Sequence, residues 1–181
     1  MNASAVAVVE LIGNPRPGSR TRALADAAVD ALALDGRVVF ELSELVGITF
    51  GLEPAVAKAP VADALEVVRA ARLLVVATPT YKGTYTGLLK LFLDRFGHRE
   101  LAGVVALPVA IAAAEDHRRS VGAALTELLV ELGADVPAPP LAVLEPQAAA
   151  PAEAAADWAA QHAPALLAAL GVASADAPGR S

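Results

Sequence analysis

The sequence predicts a doubly wound α/β fold, with a five-stranded parallel sheet of strand order 2-1-3-4-5 and helices on both faces. Short apolar runs alternate along the chain with stretches of helical spacing, as expected for buried parallel strands joined by crossover helices. No internal repeat and no linker divides the chain. Two of the apolar runs end in distinctive loops, and this strand order places the ends of strands one and three together, where open α/β sheets bind ligands.

Five strands and five helices are expected in alternation. The strand patterns cover 6–12, 37–42, 73–78, 104–111 and 136–144, with Pro108 at a bulge in the fourth. The helical patterns cover 23–34, 61–71, 87–96, 116–132 and 148–170. Gly133 closes the fourth helix, and Pro151 and Pro164 are expected to interrupt the fifth. The stretch 43–60 is expected to be an irregular loop, because it contains two glycines and two prolines.

Length and composition limit the classes of function. The 181 residues predict one domain over 1–170 with a disordered tail at 171–181. The net charge of −6 gives no general basis for binding nucleic acid. The chain has no cysteine, which excludes disulfides, thiolate nucleophiles and Cys-ligated metals, and we expect no metal site. Because there is neither a membrane-length apolar stretch nor a basic signal-like start, we expect a cytoplasmic protein.

The loop after the first strand, 13–22, has the composition of a phosphate site. Gly13 permits a tight exit from the strand, and Ser19 or Thr21 can cap the following helix, whose N-terminus attracts an anion. Positive charge and planar donors suited to phosphate come from Arg16, Arg20 and Arg22. The loop matches neither a Walker P-loop nor G-x-G-x-x-G. The alternative interpretation is a capped turn with three solvated arginines.

The loop after the third strand is the most distinctive part of the chain. The strand runs to Thr78 and is followed by a Pro/Tyr/Gly-rich turn and a helix that begins near Gly87. Tyr81 is expected to contact a ligand rather than only anchor the loop. Lys82 is interpreted equally well as a contact to a bound ligand and as a solvated side chain.

Together these loops resemble those of the NADPH-dependent FMN reductase family. Gly13-Asn14-Pro15-Arg16-x-x-Ser19-Arg20-Thr21 is similar to the family's phosphate loop. Thr78-Pro79-Thr80-Tyr81-Lys82-x-x-Tyr85-x-Gly87-x-Leu89-Lys90 resembles the isoalloxazine loop of the alkanesulfonate-linked, sulfate-starvation branch. The resemblance covers about 6–144 and implies a flavodoxin-like fold that binds FMN, together with NADPH or NADH, at the switch point between strands one and three.

The resemblance also implies a set of site residues. The FMN phosphate would be held by Arg16, Ser19, Arg20 and Thr21, with the amide of Asn14 standing where the family usually has serine. The flavin ring and ribityl chain would be lined by Pro79, Thr80, Tyr81, Lys82 and Gly83. A third loop, 112–117, would pass by the flavin at Ala113, although the family often has glycines where this chain has Ala112 and Ala113. In that loop we expect Asp116 to cap the next helix and His117 to be partly exposed.

The implied activity is an NAD(P)H:FMN oxidoreductase that supplies reduced FMN to a two-component flavin-dependent monooxygenase. Because the two cofactors carry the chemistry, no catalytic side chain is assigned. The resemblance further implies a homodimer or homotetramer. The alternatives are an FMN-bound NAD(P)H quinone or azo reductase, a non-enzymatic FMN-binding electron carrier, and a family member that no longer binds flavin well.

Overall fold

A five-stranded parallel sheet organises the described part of the chain. In a computed structural model, the residues that the structure describes are 7–45 and 59–172. The strands are β1 (Val8–Ile12), β2 (Arg37–Glu41), β3 (Leu73–Pro79), β4 (Val105–Ala112) and β5 (Leu141–Leu144). All neighbours pair in parallel in the order β2-β1-β3-β4-β5. The predicted fold class and strand order are therefore confirmed.

Within the described ranges, five α-helices cover the two faces of the sheet. They are α1 (Arg20–Ala31), α2 (Ala59–Arg69), α3 (Gly87–Leu93), α4 (Glu115–Glu131) and α5 (Pro151–Ala169), and a short 3₁₀ helix, Gln147–Ala149, precedes α5. Successive residues of β3 point to opposite faces, so that Val75 packs with α1 and α5 whereas Val76 packs with α2, α3 and α4. Both faces of the central strands are buried, which explains their continuous apolar runs.

The prolines disturb the elements less than predicted. Pro108 causes no bulge and pairs in regular register with Val76. The N–H of Ala106 donates to the carbonyl of Asp135, on the side of β4 that faces β5. The nitrogen of Pro108, two residues later, faces the same side. Because pairing with β5 begins only at Val109, the missing N–H of Pro108 removes no bond from the sheet. Helix α5 starts at Pro151, as the missing N–H allows, and continues through Pro164 without interruption. The carbonyl that Pro164 leaves without a helical donor belongs to Ala160, an exposed residue that water can reach.

Several element boundaries differ from the predicted ones. Helix α1 begins three residues before the predicted start at 23, because Ser19 is its N-cap. Helix α2 begins at Ala59, inside the predicted loop, and α3 ends at Leu93 rather than 96. Strand β5 is limited to Leu141–Leu144, after three prolines that keep 136–140 out of the ladder. The rest of the predicted loop, 46–58, and the predicted tail from 173 onward lie outside the described residues.

Helix α4 ends as predicted. Its last turn is followed by Gly133, which has a φ of 95° and a backbone N–H that donates to the carbonyl of Val130. No helix in the described ranges is both long and apolar enough to cross a membrane.

Candidate functional site

The carboxyl ends of the central strands surround one cavity. Ile12 pairs with Ala77, and Pro79 pairs with Ile111, so that β1, β3 and β4 end at the same edge of the sheet. The cavity at this edge has a volume of about 560 Å³. It is lined by Asn14, Arg16, Pro17, Gly18, Ser19, Arg20, Thr21, Pro79, Thr80, Tyr81, Ile111, Ala113 and Glu145. Nine of the eleven residues predicted for the site therefore line a single cavity.

Asn14 shapes the first loop from the inside. Its side chain is buried, its Nδ2 donates to Oγ1 of Thr21 at 3.1 Å, and its Oδ1 accepts the backbone N–H of Arg16 at 2.9 Å. A single side chain thus joins the start of the loop to the first turn of α1. Serine, with one hydroxyl, is too short to make both of these contacts in the same way.

The N-terminus of α1 points N–H groups toward the cavity. Ser19 caps the helix, and its Oγ accepts the N–H of Arg22 at 3.3 Å. The N–H groups of Ser19, Arg20 and Thr21 have no acceptor among the described residues. They lie at the positive end of the helix dipole, on residues that line the cavity.

The three arginines of the loop have different environments. Arg16 is exposed and forms no ion pair within the described ranges. Arg20 lies 3.5 Å from Glu145 across the cavity, and both side chains are about half exposed. Arg22 does not line the cavity, because Asp26 and Glu41 hold its guanidinium at 2.8 Å and 3.4 Å. The expectation that Arg22 adds charge at the phosphate site is therefore wrong.

The loop after β3 closes in a tight two-residue turn. The backbone N–H of Tyr81 donates to the carbonyl of Thr84 at 2.9 Å, and that of Thr84 donates back at 3.3 Å. Lys82 and Gly83 form the tip, with φ values of 54° and 87°, as in a type I′ turn. Of the predicted site residues, only Lys82 and Gly83 do not line the cavity, because the tip turns toward α4, where Gly83 accepts the hydroxyl of Ser120 at 2.8 Å.

Threonines fix this loop to its neighbours. Thr80 donates both its backbone N–H, at 2.8 Å, and its hydroxyl, at 2.9 Å, to the carbonyl of Ile111. Thr86 is buried, caps α3 and donates its hydroxyl to the carbonyl of Gly13. The Thr86 N–H donates in turn to Oγ1 of Thr78 at 3.2 Å. The two cavity loops are therefore joined directly, a connection that the sequence analysis missed although Thr86 stands at an N-cap position.

The third loop is shorter than predicted. Ala112 is the buried last residue of β4, and α4 starts at Glu115, which leaves only Ala113 and Ala114 between them. Ala114 is the N-cap, so the predicted capping role of Asp116 is wrong. Neither Ala112 nor Ala113 has a positive φ, so this backbone does not require glycine at either position.

Three glutamates, two of them at the site, were not identified from the sequence. Glu145 follows β5 and enters the cavity lining, and Glu41 ends β2 and accepts the N–H of Gly18.

The third glutamate, Glu10, lies in the middle of β1 and is fully buried. Its Oε1 accepts from Arg37 at 3.3 Å, and its Oε2 has no hydrogen-bond donor among the described residues. Burial, together with the nearby Asp26 carboxylate, raises the pKa of Glu10 to about 7, and Arg37 and Arg22 oppose that rise.

Known proteins share this sequence pattern. The family model described as NADPH-dependent FMN reductase matches residues 6–149. The NADH-dependent FMN reductase SfnF of Pseudomonas putida is 36% identical over 123 residues, which make up 65% of this chain and 66% of that protein. The FMN reductase (NADPH) of Escherichia coli K12 is 35% identical over 134 residues, 70% of this chain and 67% of that protein. The chain thus spans just under two thirds of the length of the first of these relatives.

A solved structure shares the fold over nearly the whole chain. The apo form of the NADH:FMN oxidoreductase EMOB aligns with a TM-score of 0.73 at 28% sequence identity. The alignment covers 94% of this chain and 91% of that one, so the shared fold extends over nearly all of both proteins.

Proposed function

Because the chain belongs to the NADPH-dependent FMN reductase family, we propose that it catalyses the reduction of FMN by NADH or NADPH. The observation that carries the proposal is the cavity of about 560 Å³, into which three loops distant in sequence bring nine residues expected to contact the flavin. The proposed location is the cytoplasm, where both reduced nicotinamide nucleotides are available.

The part of the cavity formed by the first loop and the start of α1 fits a phosphate monoester. Arg16 offers a guanidinium that no described carboxylate occupies, and the start of α1 offers N–H groups without an acceptor in the described part of the chain. Charged donors and a helix N-terminus together favour a dianion such as the FMN phosphate. Glu145 is the acidic exception, and Arg20 neutralises it at 3.5 Å.

The part of the cavity formed by the loop after β3 fits a flat ring. Pro79, Thr80 and Tyr81 form its wall, and hydrogen bonds from Thr80 to Ile111 hold that wall in place. When bound there, FMN supplies the redox chemistry by accepting a hydride from the nicotinamide. The protein's part is to position the two ring systems. Tyr81 is 48% exposed at the cavity edge and presents an aromatic surface for this purpose.

We further propose that FMN is exchanged rather than retained, and that the reduced flavin goes to a flavin-dependent monooxygenase. Two of the proposed phosphate contacts, Arg16 and Arg20, are exposed side chains of a surface loop, as suits a ligand that enters and leaves. The likeness to SfnF, an NADH-dependent FMN reductase, is consistent with this part of the proposal. A homodimer or homotetramer remains part of the proposal.

The test is an assay of nicotinamide oxidation with purified protein. We expect oxidation of NADH, NADPH or both to rise with added free FMN and to saturate. Oxidation that requires a quinone or azo dye, with FMN already bound after purification, would instead indicate a quinone or azo reductase. No oxidation with any acceptor would contradict the enzymatic proposal and leave an electron carrier or a family member that has lost flavin binding.

A further inference from the structure

An acidic side chain is built into the proposed phosphate loop. The backbone N–H of Gly18 lies 3.2 Å from Oε1 and 3.0 Å from Oε2 of Glu41, and Gly18 has a φ of 60°. The Glu41 side chain is only 11% exposed, so its carboxylate is largely shielded from water. A carboxylate beside a site for a phosphate has the wrong charge for binding the anion, and its presence therefore calls for another role.

The carboxylate of Glu41 is held by the sheet. Glu41 is the last residue of β2 and pairs with Ile12 at the end of β1, and the next residue, Leu42, donates its N–H to the Ile12 carbonyl at 3.0 Å. The side chain therefore starts from one of the more rigid points of this edge. It reaches the loop at Gly18, between Arg16 and Ser19, which are two of the residues proposed to contact the phosphate.

Arg22 compensates for the charge of Glu41. Its Nη1 lies 3.4 Å from Oε1 of Glu41, and its Nε is hydrogen bonded to both carboxylate oxygens of Asp26 at 2.9 Å and 2.8 Å. Since Arg22 does not line the cavity, its guanidinium neutralises Glu41 from behind the loop. The effect of Glu41 on an anion in the cavity is thereby reduced, whereas its hydrogen bond to the loop is retained.

We propose that Glu41 is a positioning residue, which fixes the loop 15–19 in the conformation that binds the flavin phosphate. The inference depends on the proposed function, because it assigns the phosphate to this loop. The loss of a negative charge near the phosphate would by itself strengthen FMN binding. The proposal predicts weaker binding, because removing the Glu41 carboxylate also removes the acceptor that holds the loop at Gly18. Riboflavin, which lacks the phosphate, provides the comparison for each variant.

The experiment measures the dissociation constants of FMN and riboflavin for the wild-type chain, three variants of Glu41 and the reference variant R16A. For E41A and for the similarly sized E41M, neither of which offers an oxygen to Gly18, we expect FMN affinity to fall about tenfold and riboflavin affinity to change less than about twofold. E41Q keeps one acceptor oxygen, and we expect its FMN affinity to lie within about threefold of the wild type. Thermal unfolding of each variant identifies any that fails to fold, and E41M then replaces E41A.

The outcomes separate the inference from the proposed function. Unchanged or tighter FMN binding in E41A and E41M, or a loss in E41Q as large as in E41A, would overturn the role of Glu41. R16A serves as the reference: a loss of FMN affinity in R16A without one in E41A overturns the inference while the phosphate site stands. Wild-type protein that binds FMN no more tightly than riboflavin would instead overturn the phosphate site itself.

Discussion

At the residue scale, the three arginines of the first loop share a charge but differ in what surrounds them. Arg16 forms no ion pair among the described residues, Arg20 faces Glu145 at 3.5 Å, and Arg22 is held by Asp26 and Glu41. An arginine that already contacts a carboxylate must weaken that contact before it can bind a phosphate. The residues that contribute most to anion binding should therefore be those without a carboxylate nearby.

This ranking gives a first prediction. We expect Arg16→Ala to weaken FMN binding about tenfold or more and to leave riboflavin binding nearly unchanged, because a charge-assisted hydrogen bond to the phosphate is lost. Arg20→Ala should have a smaller effect, since the exposed pair with Glu145 already engages that side chain. Fluorescence titration with both flavins measures the difference. Equal losses of FMN and riboflavin affinity in Arg16→Ala would contradict a phosphate contact.

The different roles of the arginines show what sequence alone can and cannot supply. The density of Arg, Ser and Thr after the first strand predicts an anion site, and all of those residues except Arg22 line one cavity. The sequence also contains the i,i+4 spacing of Arg22 and Asp26, which favours an ion pair on one face of a helix. Glu41 and Glu145, in contrast, reach the site through the fold from distant positions, and no local pattern identifies them.

Glu10 leads to a prediction on pH. Its pKa is about 7 in the folded protein, compared with 4.5 for the free side chain, so the folded state holds this proton more tightly than the unfolded state. The stabilisation is complete below about pH 4.5 and is lost as the pH rises through about 7. As the pH rises from below about 4.5 to above about 7, the unfolding free energy of Glu10→Gln should therefore increase relative to that of the wild type by up to about 3 kcal/mol.

Urea unfolding of both proteins across this pH range is the measurement. Other carboxylates titrate in the same range, and the difference between wild type and variant isolates Glu10. A difference in unfolding free energy that stays constant with pH would show that Glu10 is ionised to the same extent in both states.

At the scale of elements, the exit from β1 depends on a close contact with α3. A Cβ on Gly13 would lie 2.7 Å from the Cβ of Leu89, closer than real Cβ contacts allow. Gly13 does not have a positive φ, so glycine is needed here for space rather than for its backbone freedom. The predicted tight exit is therefore observed, but its cause is a contact between residues far apart in the sequence.

The contact gives a prediction with a matched control. Gly13→Ala should destabilise the protein by about 1–3 kcal/mol, because the close packing between β1 and α3 must open. Gly87→Ala should be neutral or stabilising by up to about 1 kcal/mol, since Gly87 is the first residue of α3 and a Cβ added there would meet nothing within 4 Å. Thermal unfolding of the two variants compares them directly, and equal stability of both would refute the packing argument.

The element boundaries show the same division between local and distant causes. Gly133 closes α4 as predicted, because a positive φ after a helix is a local requirement that glycine meets. Pro164 was expected to interrupt α5, and the helix continues because the carbonyl it leaves without a donor lies on the exposed side. The face that a helix turns to solvent is set by its packing on the sheet, which local sequence does not specify.

At the scale of the whole molecule, the alternation of strands and helices, together with the two distinctive loops, predicted the sheet order. Parallel strands need crossover connections of one hand, and few arrangements then place two ligand loops side by side. The order β2-β1-β3-β4-β5 does so by setting β1 against β3. The direction of the turn at Lys82 and Gly83, away from the cavity and toward α4, depended on that packing and could not be predicted beforehand.

Because the cavity joins loops from β1, β3, β4 and β5, a bound flavin would stabilise the molecule as a whole. A ligand that binds only the folded state raises its stability by about 2.7 kcal/mol at 100 times the dissociation constant. If FMN is exchanged, as proposed, equimolar FMN should hardly change the unfolding temperature, and the temperature should climb steadily once FMN exceeds the protein. Riboflavin at equal concentration should have a smaller effect, and Arg16→Ala should remove most of the difference between the two flavins. A large rise already at equimolar FMN would mean that the protein retains its flavin, which favours the quinone or azo reductase over a reductase that releases reduced FMN.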